Sequence, residues 1–344
     1  MAELTESTPN TTDYDYDELP ESNYCYMGDI SELSALLISI LYSVIFLFSL
    51  LGNSLVLRIV LKYESLMSLT NLFIVNLCIS DLIFSCTLPF LIVYHSYGWI
   101  MGEFLCKAVS GIFSISYFCG VIFLTIMTIL RYLAVVDPLS TLRTQKKRSG
   151  ILVSLAVWVT SLLFVIPEIL SIQVTTDIDG RYGCYYQAFY PWEMVELCLK
   201  VLFFLISFMI IAICYTGMLD ILLRSRSQSR HRTVRLIFAI VLVFFLSWAP
   251  YNVLGFVYAL SEQNVIESKC QTKKDIYFAF DISRTVAYCH CCLNPVLYVF
   301  VGVKFRRHLK LLYKQYAQRH RAILPSSPRH HSSHADLYEE QSLY

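Results

Sequence analysis

Charge is scarce in this chain. Only 15% of its 344 residues are Asp, Glu, Lys or Arg, where a soluble domain carries about 25%. Hydrophobic residues make up 56%, against about 45–50% in soluble domains. A soluble domain of this size cannot hide so much apolar surface, whereas a bilayer can. Residues 1–33 lack Lys and Arg altogether, yet hold nine acids. They also lack the basic start and short apolar run of a cleavable signal. Export of the amino terminus is therefore expected to rely on the first spanning helix. No Gly-x-Ser-x-Gly elbow, His-Glu-x-x-His pair or phosphate loop occurs, so catalysis has little support and no cofactor or metal is expected. No internal repeat is evident, which speaks against a transporter. No cysteine follows Cys292, which excludes a palmitoyl anchor in the tail.

What is present is a series of long apolar runs. Seven are long enough to span a bilayer, at 34–60, 70–95, 104–133, 150–172, 195–223, 236–260 and 276–303. They predict an all-α membrane protein, a seven-transmembrane helix bundle over 34–303. Lys and Arg cluster in alternate connections: Arg58 and Lys62; Arg131, Arg143, Lys146, Lys147 and Arg148; Arg224 to Arg235; and Lys304 to Lys314. Basic loops face the cytoplasm, so the acidic segment 1–33 is expected outside and the tail inside. The arginine run 224–235 lies between two spans, so it is an inner loop and not a nucleic-acid site. Residues 304–316 place Phe305, Leu309, Leu312 and Tyr313 among basic residues near helical spacing, which predicts a short amphipathic helix on the membrane surface. Residues 317–344 are polar, rich in His and Ser, and read as a disordered cytoplasmic tail.

Of the twelve cysteines, eight fall inside apolar runs and Cys25, Cys106, Cys184 and Cys270 do not. Four at polar positions suggest disulfides in an oxidising compartment. Cys289-His290-Cys291-Cys292 has the residue types of a metal site. Consecutive helical residues point about 100° apart and cannot converge on one ion, so packing is the better reading.

Polar side chains inside spans are costly and mark places of function or fixed packing. Asn53, Asp81 and Asn294 stand at mid-depth. They read either as a buried network that fixes helix packing or as a polar core that repacks during switching. Prolines in Phe244-Phe245-Leu246-Ser247-Trp248-Ala249-Pro250 and in Asn294-Pro295-Val296-Leu297-Tyr298 are expected to kink the sixth and seventh spans.

Gly52-Asn53, Asp81, Trp158, Trp248–Pro250 and Asn294–Tyr298 occur in order along successive spans. That set resembles the rhodopsin class of G-protein-coupled receptors over nearly the whole chain. Within it, Thr87-Leu88-Pro89, Gly98-Trp99, Gly102 to Cys106 and residues 288–302 are similar to chemokine receptors. The stretches 62–71, 137–143, 224–240 and 300–310 resemble the XC-type (lymphotactin) receptors.

The resemblance implies a receptor that binds a small basic chemokine outside and activates a heterotrimeric G protein, of the inhibitory class, inside. It implies the pairs Cys106–Cys184 and Cys25–Cys270. Chemokine contact would come from Asp13, Tyr14, Asp15, Tyr16, Asp17, Glu18, Tyr24 and Tyr26, and from Trp99, Tyr117, Glu168, Glu196, Tyr251, Asp281 and Arg284. Acidic neighbours make Tyr14 and Tyr16 candidates for sulfation, and Asn10-Thr11-Thr12 is a glycosylation sequon. Switching and coupling would involve Asp81, Leu130, Arg131, Tyr132, Tyr215, Phe244, Trp248, Pro250, Asn294, Pro295 and Tyr298. Arrestin and receptor kinases would meet the Ser-containing tail.

The family pattern breaks in four places. Arg284 replaces a helix-7 glutamate common in CC-type receptors. Leu130 replaces the acid of the Asp-Arg-Tyr triplet. Ser207 stands at the usual helix-5 proline. Gly120 stands at a common sodium-binding serine, which puts sodium at Asp81 in doubt. The altered triplet raises an alternative, an atypical receptor that internalises chemokine without coupling.

Overall fold

The computed structural model describes residues 32–137, 147–176, 180–186, 192–224, 228–262, 265, 269–301 and 303–323. Its helices are α1 (Glu32–Tyr63), α2 (Leu69–Ser85), α3 (Leu88–Tyr97), α4 (Gly102–Val136), α5 (Lys147–Ser171), α6 (Trp192–Arg224), α7 (Gln228–Glu262), α8 (Cys270–Tyr288), α9 (His290–Val301) and α10 (Val303–Ile323). Two short strands, β1 (Ile172–Thr176) and β2 (Tyr182–Tyr186), form an antiparallel hairpin between α5 and α6.

Among the described residues, six segments are long and apolar enough to cross a membrane, with α2 and α3 counted as one. The seventh crossing is α8 plus α9. Its first half carries Lys273, Lys274, Asp275, Asp281 and Arg284, which dilutes its hydropathy. The chain is thus a seven-helix membrane bundle. Its burial pattern suits lipid, since Leu51, Leu152, Leu170 and Ile213 face outward at 64–70% exposure while Asn53, Asp81, Ser85 and Asn294 are buried.

Helix α4 is the central post, packed against α2, α5, α6 and β1. α1 packs on α2, α3 and α9, while α7 packs on α6, α8 and α9. Gly52 lets α1 approach the seventh span closely, because a Cβ there would lie 2.7 Å from Pro295 Cβ. Trp158 Nε1 donates to Asn76 Oδ1 at 3.0 Å, and Asn76 Nδ2 donates to Ser154 Oγ at 3.1 Å, tying α2 to α5.

The expected proline effects take a particular form. The second span breaks at Cys86-Thr87, and Thr87 Oγ1 donates to the Phe84 carbonyl at 2.7 Å. Pro250 sits inside the uninterrupted α7. The seventh span breaks at Cys289, before Pro295. A proline cannot bond the carbonyl four residues earlier, here that of Cys291. That carbonyl instead accepts Asn53 Nδ2 at 2.8 Å and Ser49 Oγ at 3.2 Å. Asn53 thus satisfies a group that Pro295 leaves open.

At the end bearing α10, the tail helix reaches Ile323, beyond the expected boundary at 316. No Pro or Gly intervenes before Pro325, so nothing in the sequence stops the helix sooner. Phe305, Leu309 and Leu312 join the core. His308 bonds Glu64 at 3.1 Å and stacks on Tyr63, while Lys62 and Tyr63 both donate to Gln315.

Candidate functional site

At the opposite end, Cys106 of α4 is disulfide-bonded to Cys184 of β2, with their Cα atoms 5.8 Å apart. The hairpin is held a second time, since the Trp99 N–H donates to the Tyr182 carbonyl at 2.7 Å. Gly98 makes this approach possible. Its φ is 76°, and a Cβ there would press on the Tyr182 oxygen at 3.0 Å. Cys270 is also disulfide-bonded. Its expected partner Cys25 lies outside the described residues, as do Asn10, Asp13, Tyr14, Asp15, Tyr16, Asp17, Glu18, Tyr24 and Tyr26.

Beneath the hairpin lies a cavity of about 510 Å³. Trp99, Glu168, Glu196, Tyr251, Asp281 and Arg284, each expected at a ligand site, all line it. Tyr117 does not. It lies one layer deeper and fully buried, donating to the Lys200 carbonyl at 2.7 Å and packing on Trp248 at 4.7 Å. Its phenol is engaged within the bundle, so the structure places Tyr117 under the cavity floor.

Arg284 pairs with Asp281, three residues earlier on α8. Glu168 and Glu196 belong to another cluster. Glu196 accepts from Lys200 and Tyr186, and from Ser114 Oγ at 3.5 Å. Burial, then Glu168 and Glu196, push the Tyr186 phenol well above its usual value, so it remains a donor. Glu168 is buried beside Ser114 and Glu196, and among the described residues its Oε2 has no hydrogen-bond partner. Lys200 was missed in the sequence, although a cation in an apolar run, four residues after an acid, was the available signal.

Below the cavity, an aromatic layer leads to the polar core. Trp248 packs on Phe113, Tyr117, Phe244 and His290. Asn294 Nδ2 donates to Asp81 Oδ2 at 2.9 Å, and His290 Nε2 lies 3.7 Å from Asp81 Oδ1. At the position where the sodium-binding serine is missing, Gly120 offers no side-chain oxygen, and the Phe244 ring takes the space a serine would need, 2.9 Å from a Cβ built at Gly120. Phe244 is itself hemmed in by Phe245, Trp248 and His290. Gly120→Ser is therefore expected to destabilise the fold by about 1–3 kcal/mol. A thermal-unfolding midpoint equal to wild type in the purified protein would contradict this packing.

Toward the α10 end, Arg131 Nη2 donates to Thr70 Oγ1 at 3.0 Å, and Arg131 Nε is buried without a partner among the described residues. Leu130 packs against the core. Tyr132 lies close on Gly217, and Tyr215 packs edge-on against Phe238. Tyr298 stands in α9, with its side chain outside the described residues.

Comparison with known proteins agrees with this layout. The family described as 7 transmembrane receptor (rhodopsin family) matches residues 52–298. The chemokine XC receptor 1 of Homo sapiens is 48% identical over 332 residues, covering 96% of each chain. That of Mus musculus is 45% identical, covering 93% of this chain and 96% of its own. The probable C-C chemokine receptor type 3 of Mus musculus is 35% identical, covering 88% and 85% respectively.

Proposed function

The chain belongs to the rhodopsin family of seven-transmembrane receptors, and within it to the chemokine receptors; from that premise we propose that it binds an XC-type chemokine and activates a heterotrimeric G protein of the inhibitory class. The hairpin end faces outward and the α10 end inward, as the Lys and Arg distribution supports. The carrying observation is the stacked arrangement within one bundle. A cavity with charged groups in its wall, under the hairpin, rests on the Tyr117–Trp248 layer, that layer on Asp81 and Asn294, and Arg131 stands near the other end. A ligand that shifts the floor of the cavity presses on Trp248, and Trp248 touches the residues around Asp81.

In this reading the acidic segment captures the basic chemokine, and the Cys25–Cys270 bond holds that segment beside the cavity. Sulfation of Tyr14 and Tyr16 adds fixed charge, and Asn10 carries the glycan. Arrestin and receptor kinases engage the Ser-containing tail. Leu130 favours a second reading, a receptor that internalises chemokine without coupling. Retention of Arg131, Tyr215 and Tyr298 with the basic inner loops favours coupling.

The capture step is tested with Asp13, Asp15, Asp17 and Glu18 changed to Asn or Gln. Oppositely charged surfaces raise association rates, and salt screens them. The variant is expected to associate about tenfold more slowly at low salt, with a flatter salt dependence. Stopped-flow association at two salt concentrations gives the answer, and unchanged rates at both remove the electrostatic role.

A further inference from the structure

The tail helix α10 turns one face away from the bundle. It starts at Val303, just past the end of the seventh span at Val301. Its sequence holds no Asp or Glu. Contacts along one flank fix its rotation. Phe305, Leu309 and Leu312 join the core. His308 bonds Glu64, and Gln315 accepts from Lys62 and Tyr63. The opposite flank is left to Arg306, Arg307, Lys310 and Lys314, all of them exposed.

A helix turns about 100° per residue, so side chains four apart share a face. Arg306, Lys310 and Lys314 therefore form a stripe with steps of about 6 Å, and Arg307 stands beside it. Among the described residues, none of the four has an acidic partner. Glu64, the acid that α10 does touch, is engaged by His308 and by Asn71 Nδ2 at 3.4 Å. Like charges four residues apart weaken a helix, and an anion laid across them removes that cost. A single exposed charge holds a single counter-charge weakly. An anion with several charges spans adjacent steps of the stripe and gathers their attraction. Arginine adds paired hydrogen bonds to phosphate oxygens.

The place of the stripe names the source of the anion. It lies beside the end of a span on the inner side, and the inner leaflet carries the anionic lipids. Tyr313 and Leu311 flank the stripe on either side, at 74% and 40% exposure. Aromatic and apolar side chains take that place at the level of the headgroups.

We infer that this face of α10 binds the headgroup of an inner-leaflet lipid bearing several phosphates, a phosphatidylinositol polyphosphate. The surface uses no residue of the cavity or of the Trp248–Asp81 layer, so it stands or falls apart from the chemokine reading.

The test uses the purified full chain in nanodiscs of phosphatidylcholine. To these is added phosphatidylinositol bisphosphate, or phosphatidylserine in the amount that matches its total charge. Headgroup-labelled lipid bound to the chain is read by energy transfer from a dye on α10. Wild type is compared with the combined variant Arg306→Gln, Arg307→Gln, Lys310→Gln and Lys314→Gln. The bisphosphate lipid is expected to bind wild type, and its affinity to fall about a hundredfold in the variant. Phosphatidylserine should gather at wild type far less. Equal binding of the bisphosphate lipid by variant and wild type overturns the assignment. Equal binding of the two lipids by wild type overturns it too, since that is diffuse attraction to any anionic surface. A variant that keeps the lipid but loses heterotrimer binding in neutral nanodiscs marks a protein-docking face and likewise overturns it. If the combined variant does not fold, Arg306→Gln with Lys310→Gln and Arg307→Gln with Lys314→Gln are made as separate pairs. Each pair is expected to lose about tenfold in affinity, and no loss in either overturns the assignment.

Discussion

Arg131→Ala is expected to cut chemokine-driven nucleotide exchange by more than about tenfold, a loss above about 1.4 kcal/mol, while chemokine affinity stays near that of wild type. Arg131 lies toward the end of the bundle opposite the cavity, so its removal leaves every lining group in place. The arrangement also sets the sign of a companion change. Arg131 is held by a neutral hydroxyl, Thr70, because Leu130 offers no carboxylate. A hydrogen bond with both partners charged is roughly twice as strong as a neutral one. Leu130→Asp is therefore expected to tighten the resting state and lower basal exchange. Basal exchange unchanged in Leu130→Asp, or full agonist response in Arg131→Ala, would remove Arg131 from the switch.

Cys184→Ala should produce the largest loss at the ligand end. The bond closes a sequence separation of 78 residues. Chain-entropy reasoning gives such a loop about 4.5 kcal/mol. That is an upper bound, because the spans inside the loop are already confined by the membrane. Without the bond, the hairpin is left with non-covalent ties, among them its strand pairing and the Trp99–Tyr182 and Tyr186–Glu196 hydrogen bonds, to hold it over the cavity. Surface expression or chemokine binding is expected to be lost, as read by cell-surface antibody staining and labelled chemokine. Cys106→Ala should behave alike. Normal expression with normal binding in either variant would show that the bond is dispensable.

The spans were legible because bilayer thickness imposes a length of apolar sequence that few other structures need. Cys106 and Cys184 were legible as a pair through family resemblance, and the disulfide joins them. The hairpin was not legible. Each strand has five residues, and β2 contains Gly183, so neither carries a strong alternating pattern. The break in the seventh span falls at Cys289, while the sequence draws the eye to Pro295. The cause is nonetheless readable afterwards, since Asn53 and Ser49 bond the carbonyl Pro295 cannot use. Among cavity residues, Glu168 and Glu196 could be named from sequence but not paired. Only the fold shows that Lys200 takes Glu196 and that Arg284 takes Asp281. Family likeness named Tyr117 among ligand contacts, and only the fold shows its bond to the Lys200 carbonyl, one layer below the lining residues.

The central claim is that chemokine binding at one end drives nucleotide exchange at the other. It is tested most directly with the purified chain in lipid nanodiscs, mixed with inhibitory-class heterotrimer and a panel of purified chemokines, while guanine-nucleotide exchange is followed. The account predicts that at least one chemokine, of the XC type, accelerates exchange on wild type and not on Arg131→Ala. A chain that binds a chemokine yet accelerates exchange on no heterotrimer, whatever its class, would contradict the account and leave a receptor that only captures and internalises its ligand.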